Sequence, residues 1–228
     1  MRRKEILATG EVYHVFSKSI ALFKIFNSDA DFSRMKRMLK YYQLENQPDK
    51  FSRFLEIERT QKEGFDKHFE SVAGKSKKLV EIIAYCFMPT HLHLILKQLE
   101  DRGISFFMSN LLNSYSRYFN IKHGRKGPLW ESKFKAVLVD SDEQLLHLTR
   151  YVHLNPATAR IVDKPQDWRD SSYLEYSSYD GVENRVCNYK GVLDIEPVSY
   201  KKFVEDMISY QRHLDDIKKL ILEEGSEL

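Results

Sequence analysis

Apolar residues recur along this chain with two periods. Residues 11–17, EVYHVFS, follow Gly10 and are rich in Val, Tyr and Phe, which predicts a first strand. Phe32, Met35, Met38, Leu39 and Tyr42 then fall at helical spacing, with Arg34, Lys36, Arg37 and Lys40 between them. That pattern predicts an amphipathic helix entered at Ser28-Asp29 and ending near Tyr42. Residues 79–87 read as an apolar strand, broken by Met88-Pro89-Thr90 because proline removes a ladder donor and restricts its neighbour. Residues 91–98 read as a second strand, so a tight turn joins the two. A helix is predicted over about 104–121, with Phe107, Leu111, Tyr115, Tyr118 and Phe119 on its apolar face. Another strand is predicted over 134–139. Ser141 and Gln144 then form a capping box for a helix that turns Leu145, Leu148 and Val152 inward. Pro156 predicts that this helix ends or kinks at Asn155. His147, Tyr151 and Asn155 recur every four residues on another side of it.

Three stretches fit less simply. Residues 45–78 are highly charged and read as an insertion with one short helix around 51–57 and another around 65–72. Residues 168–179, rich in Ser, Tyr and Asp, read as extended or loop, and 184–198 as irregular with short strand candidates. From Tyr200 onward, Phe203, Met207, Tyr210, Leu214, Ile217 and Ile221 predict one long amphipathic helix, docked on its own chain or on a second copy.

Composition narrows the class. With 42% hydrophobic and 30% charged residues, the 228-residue chain reads as globular, in one large domain or one domain with extensions. Cys86 and Cys187 lie in no metal or redox motif, which argues against a disulfide framework or zinc finger and fits a reducing compartment. The N-terminal MRRKEILATG lacks a signal-length apolar run, and no window nears the ~18 apolar residues of a membrane span. A cytoplasmic protein with no membrane partner is expected. Net charge is only +3, but from Ser114 to Ala136 the sole acid among many bases is Glu131, while the chain beyond Asp180 is acidic. A basic face for a polyanion and a tail held off it would look like this, as would ordinary charge clustering.

The chemistry centres on His91-Leu92-His93. On a strand the two histidines share one face with Ile95, and Leu92, Leu94 and Leu96 share the other. Paired imidazoles on one face suit a divalent metal, although a bare His-x-His is more often structural. His14 is a candidate third ligand or a core histidine. After the fifth predicted element the chain runs KHGRKGPLWESKFK, a basic loop ending in Trp130, which suits phosphates and an unstacked base or, for Trp130, a core anchor.

Four blocks, MPTHLHLIL, SRYFNIKHGRKGPLWESKF, LTRYVHLNPATARIV and PQDWRDSSY, together resemble the single-tyrosine HUH transposases, and most closely their REP-associated branch. The resemblance runs from about Val12 to Tyr173, outside the insertion at 45–78 and the tail after about Tyr179. Thr90, where the family commonly has asparagine, and the Ser-Lys-Ser ending of the first strand depart from the pattern.

The resemblance implies an α+β fold, an antiparallel ferredoxin-like (RRM-like) sheet with helices packed on it. Residues 1–178 would form the catalytic domain and 179–228 a C-terminal extension ending in an amphipathic helix. It implies His91, His93 and Asn155 as ligands of a divalent metal, and Tyr151 as the nucleophile that forms a 5′-phosphotyrosine. Imidazole and carbonyl ligands suit Mg²⁺ or Mn²⁺, with zinc left open. The implied substrate is single-stranded or hairpin DNA, contacted by Arg117, Lys122, Arg125, Lys126, Trp130 and Lys133. Arg150 would meet the scissile phosphate or face solvent, and His147 or His153 would assist proton transfer or be structural. A water-activating metal nuclease and a hairpin-binding protein that does not cut remain the alternatives. Monomer and homodimer are both compatible with the sequence.

Overall fold

β1 (Val12–Lys18) is paired on both sides, with β3 (His91–Gln98) and β4 (Lys135–Leu138), and β2 (Val80–Met88) flanks β3. The computed structural model describes residues 7–74, 76–178 and 185–224, with side chains as far as residue 216. All strand pairs are antiparallel, in the order β2-β3-β1-β4. The period of two decides what each face carries. Val15, Tyr85, Phe87, Leu92, Leu94 and Leu96 are all buried on one face, against α1 (Asp29–Tyr42) and α5 (Gly103–Lys122). Ala84, Cys86, Met88 and Ile95 are buried on the other, beneath α6 (Asp142–Thr158). The expected antiparallel sheet with helices packed on it is what the chain forms. Among the described residues, no helix is long and apolar enough to cross a membrane.

The outer edge of β2 is covered by later chain: Phe87 N donates to Asp170 O, Ser172 N to Tyr85 O and Asn188 N to Ile82 O, each at 2.9 Å. These bonds close an edge that would otherwise be free to pair with another chain. The opposite edge, β4, is short and largely exposed.

Gly103 opens α5 where the chain passes against Leu79. A Cβ at this position would lie 2.2 Å from Leu79 O. That oxygen also accepts from Leu99 N and Glu100 N, so it is not free to retreat. Gly103→Ala is expected to destabilise the protein by about 3 kcal/mol, as overpacking against fixed backbone does; urea unfolding followed by circular dichroism measures it.

Several elements differ from the pattern-based expectation. The insertion holds three helices, α2 (Phe51–Glu56), α3 (Glu58–Glu63) and α4 (Phe65–Ala73). α3, ERTQKE, has no apolar stripe to betray it; its one buried side chain, Thr60, donates to Phe54 O at 2.7 Å. The insertion is seated on α1 by Tyr41 against Phe54, with centroids 4.9 Å apart, and by Lys40 Nζ on Asp66 at 2.6 Å. Its ends meet, with Glu45 N on Lys77 O at 2.9 Å and Leu79 N on Gln43 O at 2.7 Å.

Residues 168–178 are not a plain loop. A 3-10 turn at Pro165–Asp167 leads to α7 (Tyr173–Ser177). The polar residues that suggested a loop bond inside the fold, with Tyr176 OH donating to Ile83 O at 2.6 Å. No strand forms between residues 185 and 196. The single long C-terminal helix is two, α8 (Pro197–Glu205) and α9 (Ile208–Glu224). They dock on their own chain: Tyr200 and Val204 are fully buried, and Arg160 pairs with Asp216 through bonds of 2.9 and 2.7 Å. The boundary expected at 178–179 and the last residues of the acidic tail, 225–228, lie outside the described residues.

Burial, aided by the charge of Asp29 and opposed by that of Lys36, holds the Asp170 carboxyl up at about 6. A carboxyl raised above its unfolded value of about 3.9 costs stability once it ionises. Stability from this source is present below about pH 4 and lost as pH rises through about 6. Asp170→Asn is therefore expected to raise the melting temperature at pH 7 more than at pH 4, a difference that paired thermal melts would reveal.

Candidate active site

His91 enters β3 directly after the Pro89-Thr90 turn, and the register sets it between Met88 and Lys18. His93 stands between Cys86 and Phe16. Both imidazoles therefore face α6, with ring centroids 5.1 Å apart and planes at 82°. Each ring has one nitrogen engaged. His91 Nδ1 lies 3.0 Å from Thr90 Oγ1, and His93 Nδ1 lies 3.0 Å from His14 Nε2. With hydrogens on both Nδ1 atoms, Thr90 and His14 accept, and both Nε2 lone pairs are left without a hydrogen-bond partner among the described residues. Burial, with Lys18 adding, lowers His91 to about 4; burial first, then the neighbouring histidines and Lys18, puts His93 well below its ordinary value. Both rings are thus neutral near pH 7, the form that ligates a metal.

Tyr151 projects from α6 over this pair. Its ring meets His93 edge-on at 5.8 Å and His14 edge-on at 6.2 Å, yet 40% of the residue is exposed. Partial burial, with Asp215 and Cys86 adding, raises its phenol above the ordinary value. Asn155 lies one turn on. Of the end or kink that proline suggested there, the end does not occur: the helix runs through Pro156 to Thr158. Proline leaves Val152 O without its usual donor. Asn155 Nδ2 approaches that oxygen at 3.4 Å and donates to Tyr151 O at 2.9 Å. The amino side of the carboxamide is thereby committed to the backbone.

Among the described residues no group of three His, Cys, Asp or Glu side chains is arranged to hold a metal. The donor set in question uses a carboxamide as its third member, and its chemistry fits a divalent ion. With their hydrogens on Nδ1, two neutral imidazoles each present a bare Nε2 while a neighbour holds the opposite nitrogen, the arrangement that orients metal-ligating histidines. His14, with its Nε2 turned to His93, orients that ring and is not placed as a third ligand.

The residues expected to contact DNA differ in exposure and in their partners. Arg117, Lys126 and Lys133 are exposed. Lys122 pairs with buried Asp31 at 2.6 Å, so part of its charge is spent inside the fold. Arg125 bonds Asn120 Oδ1 at 3.1 Å and lies over Phe23 at 5.2 Å. Trp130 is a correction: it is only 9% exposed, its indole N–H donates to Leu112 O at 3.1 Å, and it cannot stack on a base without leaving the core. Arg150 is another, lying 4.2 Å over Phe203 of α8 and 2.8 Å from His147 Nδ1, turned to the C-terminal helices. His153 is fully buried between Tyr200 OH at 2.6 Å and Ser172 Oγ at 2.7 Å, and burial lowers it to about 3. It is structural. Sequence reasoning passed over Phe16 and Lys135, which share the histidine face; only the strand register could have found them.

A helix-borne tyrosine thus stands over paired histidines on an antiparallel sheet, and comparison with known proteins finds similar chains. Residues 53–155, from inside α2 to Asn155, match the model of the IS200-like transposase family. A Haemophilus influenzae protein provisionally described as a REP-associated tyrosine transposase is 25% identical over 103 residues, 41% of this chain and 58% of that protein. The chain thus matches little more than half the length of this relative. A solved structure of a REP-associated tyrosine transposase bound to a REP hairpin covers 86% of this chain and 98% of its own, with a TM-score of 0.51 and 14% identity, a likeness of fold. The resemblance read from the four sequence blocks to REP-associated tyrosine transposases is borne out.

Proposed function

We propose that this chain is a metal-dependent transposase that cleaves and rejoins single-stranded or hairpin DNA through a covalent bond to Tyr151. The observation that carries this reading is the half-exposed phenol of Tyr151 standing edge-on to His93, 5.8 Å between ring centroids. The solved relative held a REP hairpin, which makes a hairpin with a single-stranded flank the natural form of substrate. Catalysis is assigned to residues 1–178 and a cytoplasmic location goes with it.

His91, His93 and Asn155 would hold Mg²⁺ or Mn²⁺, which when bound neutralises phosphate charge and polarises phosphorus. Tyr151 Oη forms a bond to phosphorus as the bond to the 3′-oxygen breaks. The phenol proton leaves to water along the exposed side of the ring, since His147 and His153 are both engaged elsewhere. The departing 3′-oxygen takes a proton from water. His14 and Thr90 hold the two imidazoles in place throughout. A 3′-hydroxyl then attacks the phosphotyrosine, remakes the phosphodiester and returns the proton to Tyr151. One phosphoester is exchanged for another, so rejoining requires no ATP.

Incubation with Mn²⁺ and a 3′-labelled hairpin oligonucleotide carrying single-stranded flanks tests this. A labelled protein–DNA adduct that resists detergent and is prevented by EDTA is expected. Cleavage without an adduct would point to activated water, and binding without cleavage to a hairpin-binding protein.

A further inference from the structure

The face that carries the histidines is only half roofed. α6 lies mainly over β2 and β3 and reaches β1 at His14, while β4, on the same face, is largely exposed. Val137, directly beside His14 in the register, is 55% exposed. Phe16, on β1, lies next to β4. It is paired with His93 on one side and Lys135 on the other, so all three side chains share the face. Its ring is half-buried, 6.0 Å from the His93 ring and 5.2 Å from that of His14. Lys135 Nζ lies 5.9 Å from the ring centroid, and Lys18, one step along the same face, is paired with His91. Neither β1, VYHVFSK, nor β4, KAVL, carries an acid. An aromatic ring and two cations are therefore set side by side next to the paired imidazoles, with no negative charge on either strand.

Such a floor matches a nucleotide. A base has an apolar face to lay on a ring, and its phosphates meet lysines. We propose that Phe16 is the stacking platform for a base adjoining the reacting phosphate, and that Lys18 and Lys135 hold the backbone of the same single strand. The inference rests on the DNA-cleaving reading above and names a specific contact within it. The alternative is that Phe16 only packs His14 and His93 in place.

A single-stranded flank on a hairpin oligonucleotide, carrying 2-aminopurine at successive positions, separates these. With the full chain, binding is expected to quench the probe at one position. Phe16→Leu, which keeps an apolar side chain but no ring, is expected to lose that quenching and about 10-fold in affinity, and Phe16→Trp to regain both. Lys135→Gln, at an exposed position that does not put folding at risk, is expected to reduce the slope of log affinity against log salt by about 0.7, one phosphate contact to single strands. Unchanged quenching and affinity in Phe16→Leu, or an unchanged salt slope in Lys135→Gln, would overturn this inference while leaving DNA cleavage intact. Absence of any binding by the unmodified protein would overturn both readings together. A Phe16→Leu variant that melts like the parent, yet binds Mn²⁺ poorly and still quenches the probe, would assign Phe16 to packing and also overturn it.

Discussion

Tyr151→Phe is expected to abolish the protein–DNA adduct and to lower strand cleavage by about 10⁴-fold or more, because in the proposed reaction it removes the one oxygen that would bond to phosphorus. The substitution deletes Oη and nothing else. The edge-on contacts with His93 and His14 are ring contacts and persist in phenylalanine. Mn²⁺ affinity and hairpin affinity should therefore stay within about 3-fold of the parent, since neither the imidazole pair nor the basic side chains are touched. Adduct formation on gels, Mn²⁺ titration by calorimetry and hairpin binding by anisotropy measure the three quantities on one preparation. Cleavage that survives in Tyr151→Phe would remove the tyrosine from the chemistry and favour a water-activating nuclease.

His153→Ala is expected to cost about 3–5 kcal/mol of stability, the range for emptying a packed site and stranding buried hydrogen-bonding groups. His153 sits on α6, two residues past Tyr151, and its ring nitrogens reach Tyr200 of α8 and Ser172 beside β2. Ser172 in turn is bonded to Tyr85 N at 2.9 Å. One imidazole thus joins α6, the sheet and the C-terminal helices. Its removal leaves a buried hydroxyl on Tyr200 without this partner and a void among Tyr173, Tyr176 and Tyr200. Urea unfolding would test it; a loss under 1 kcal/mol would mean that the three elements are held by other contacts.

Much of this was legible because the signals were local. The period-two strands and the turn at Pro89-Thr90 follow from residue order alone, as does the capping serine of α6, which accepts from Gln144 N at 3.1 Å. So does the pairing of His91 and His93 on one face. What could not be read depended on distant partners. Pro156 is tolerated inside α6 because Asn155 supplies a side-chain donor to the abandoned carbonyl. Trp130 looked available for stacking because sequence does not reveal that Leu112 O waits for its N–H. Arg150 sits beside the tyrosine in sequence, but side chains one position apart diverge by about 100° on a helix, and Phe203 claims it. Phe16 and Lys135 gain their place only from a register joining strands more than a hundred residues apart.

The closed neck of the insertion has a consequence for how the chain tolerates change. Because Gln43 and Leu79 are already hydrogen-bonded, a short turn would bridge them and the sheet would keep its connectivity without α2, α3 and α4. Yet the graft would uncover the aromatic rings of Tyr41 and Tyr42, and Lys40 would lose its carboxylate. A trimmed chain of this kind would therefore expose apolar surface on α1 at Tyr41, which a polar residue there would relieve.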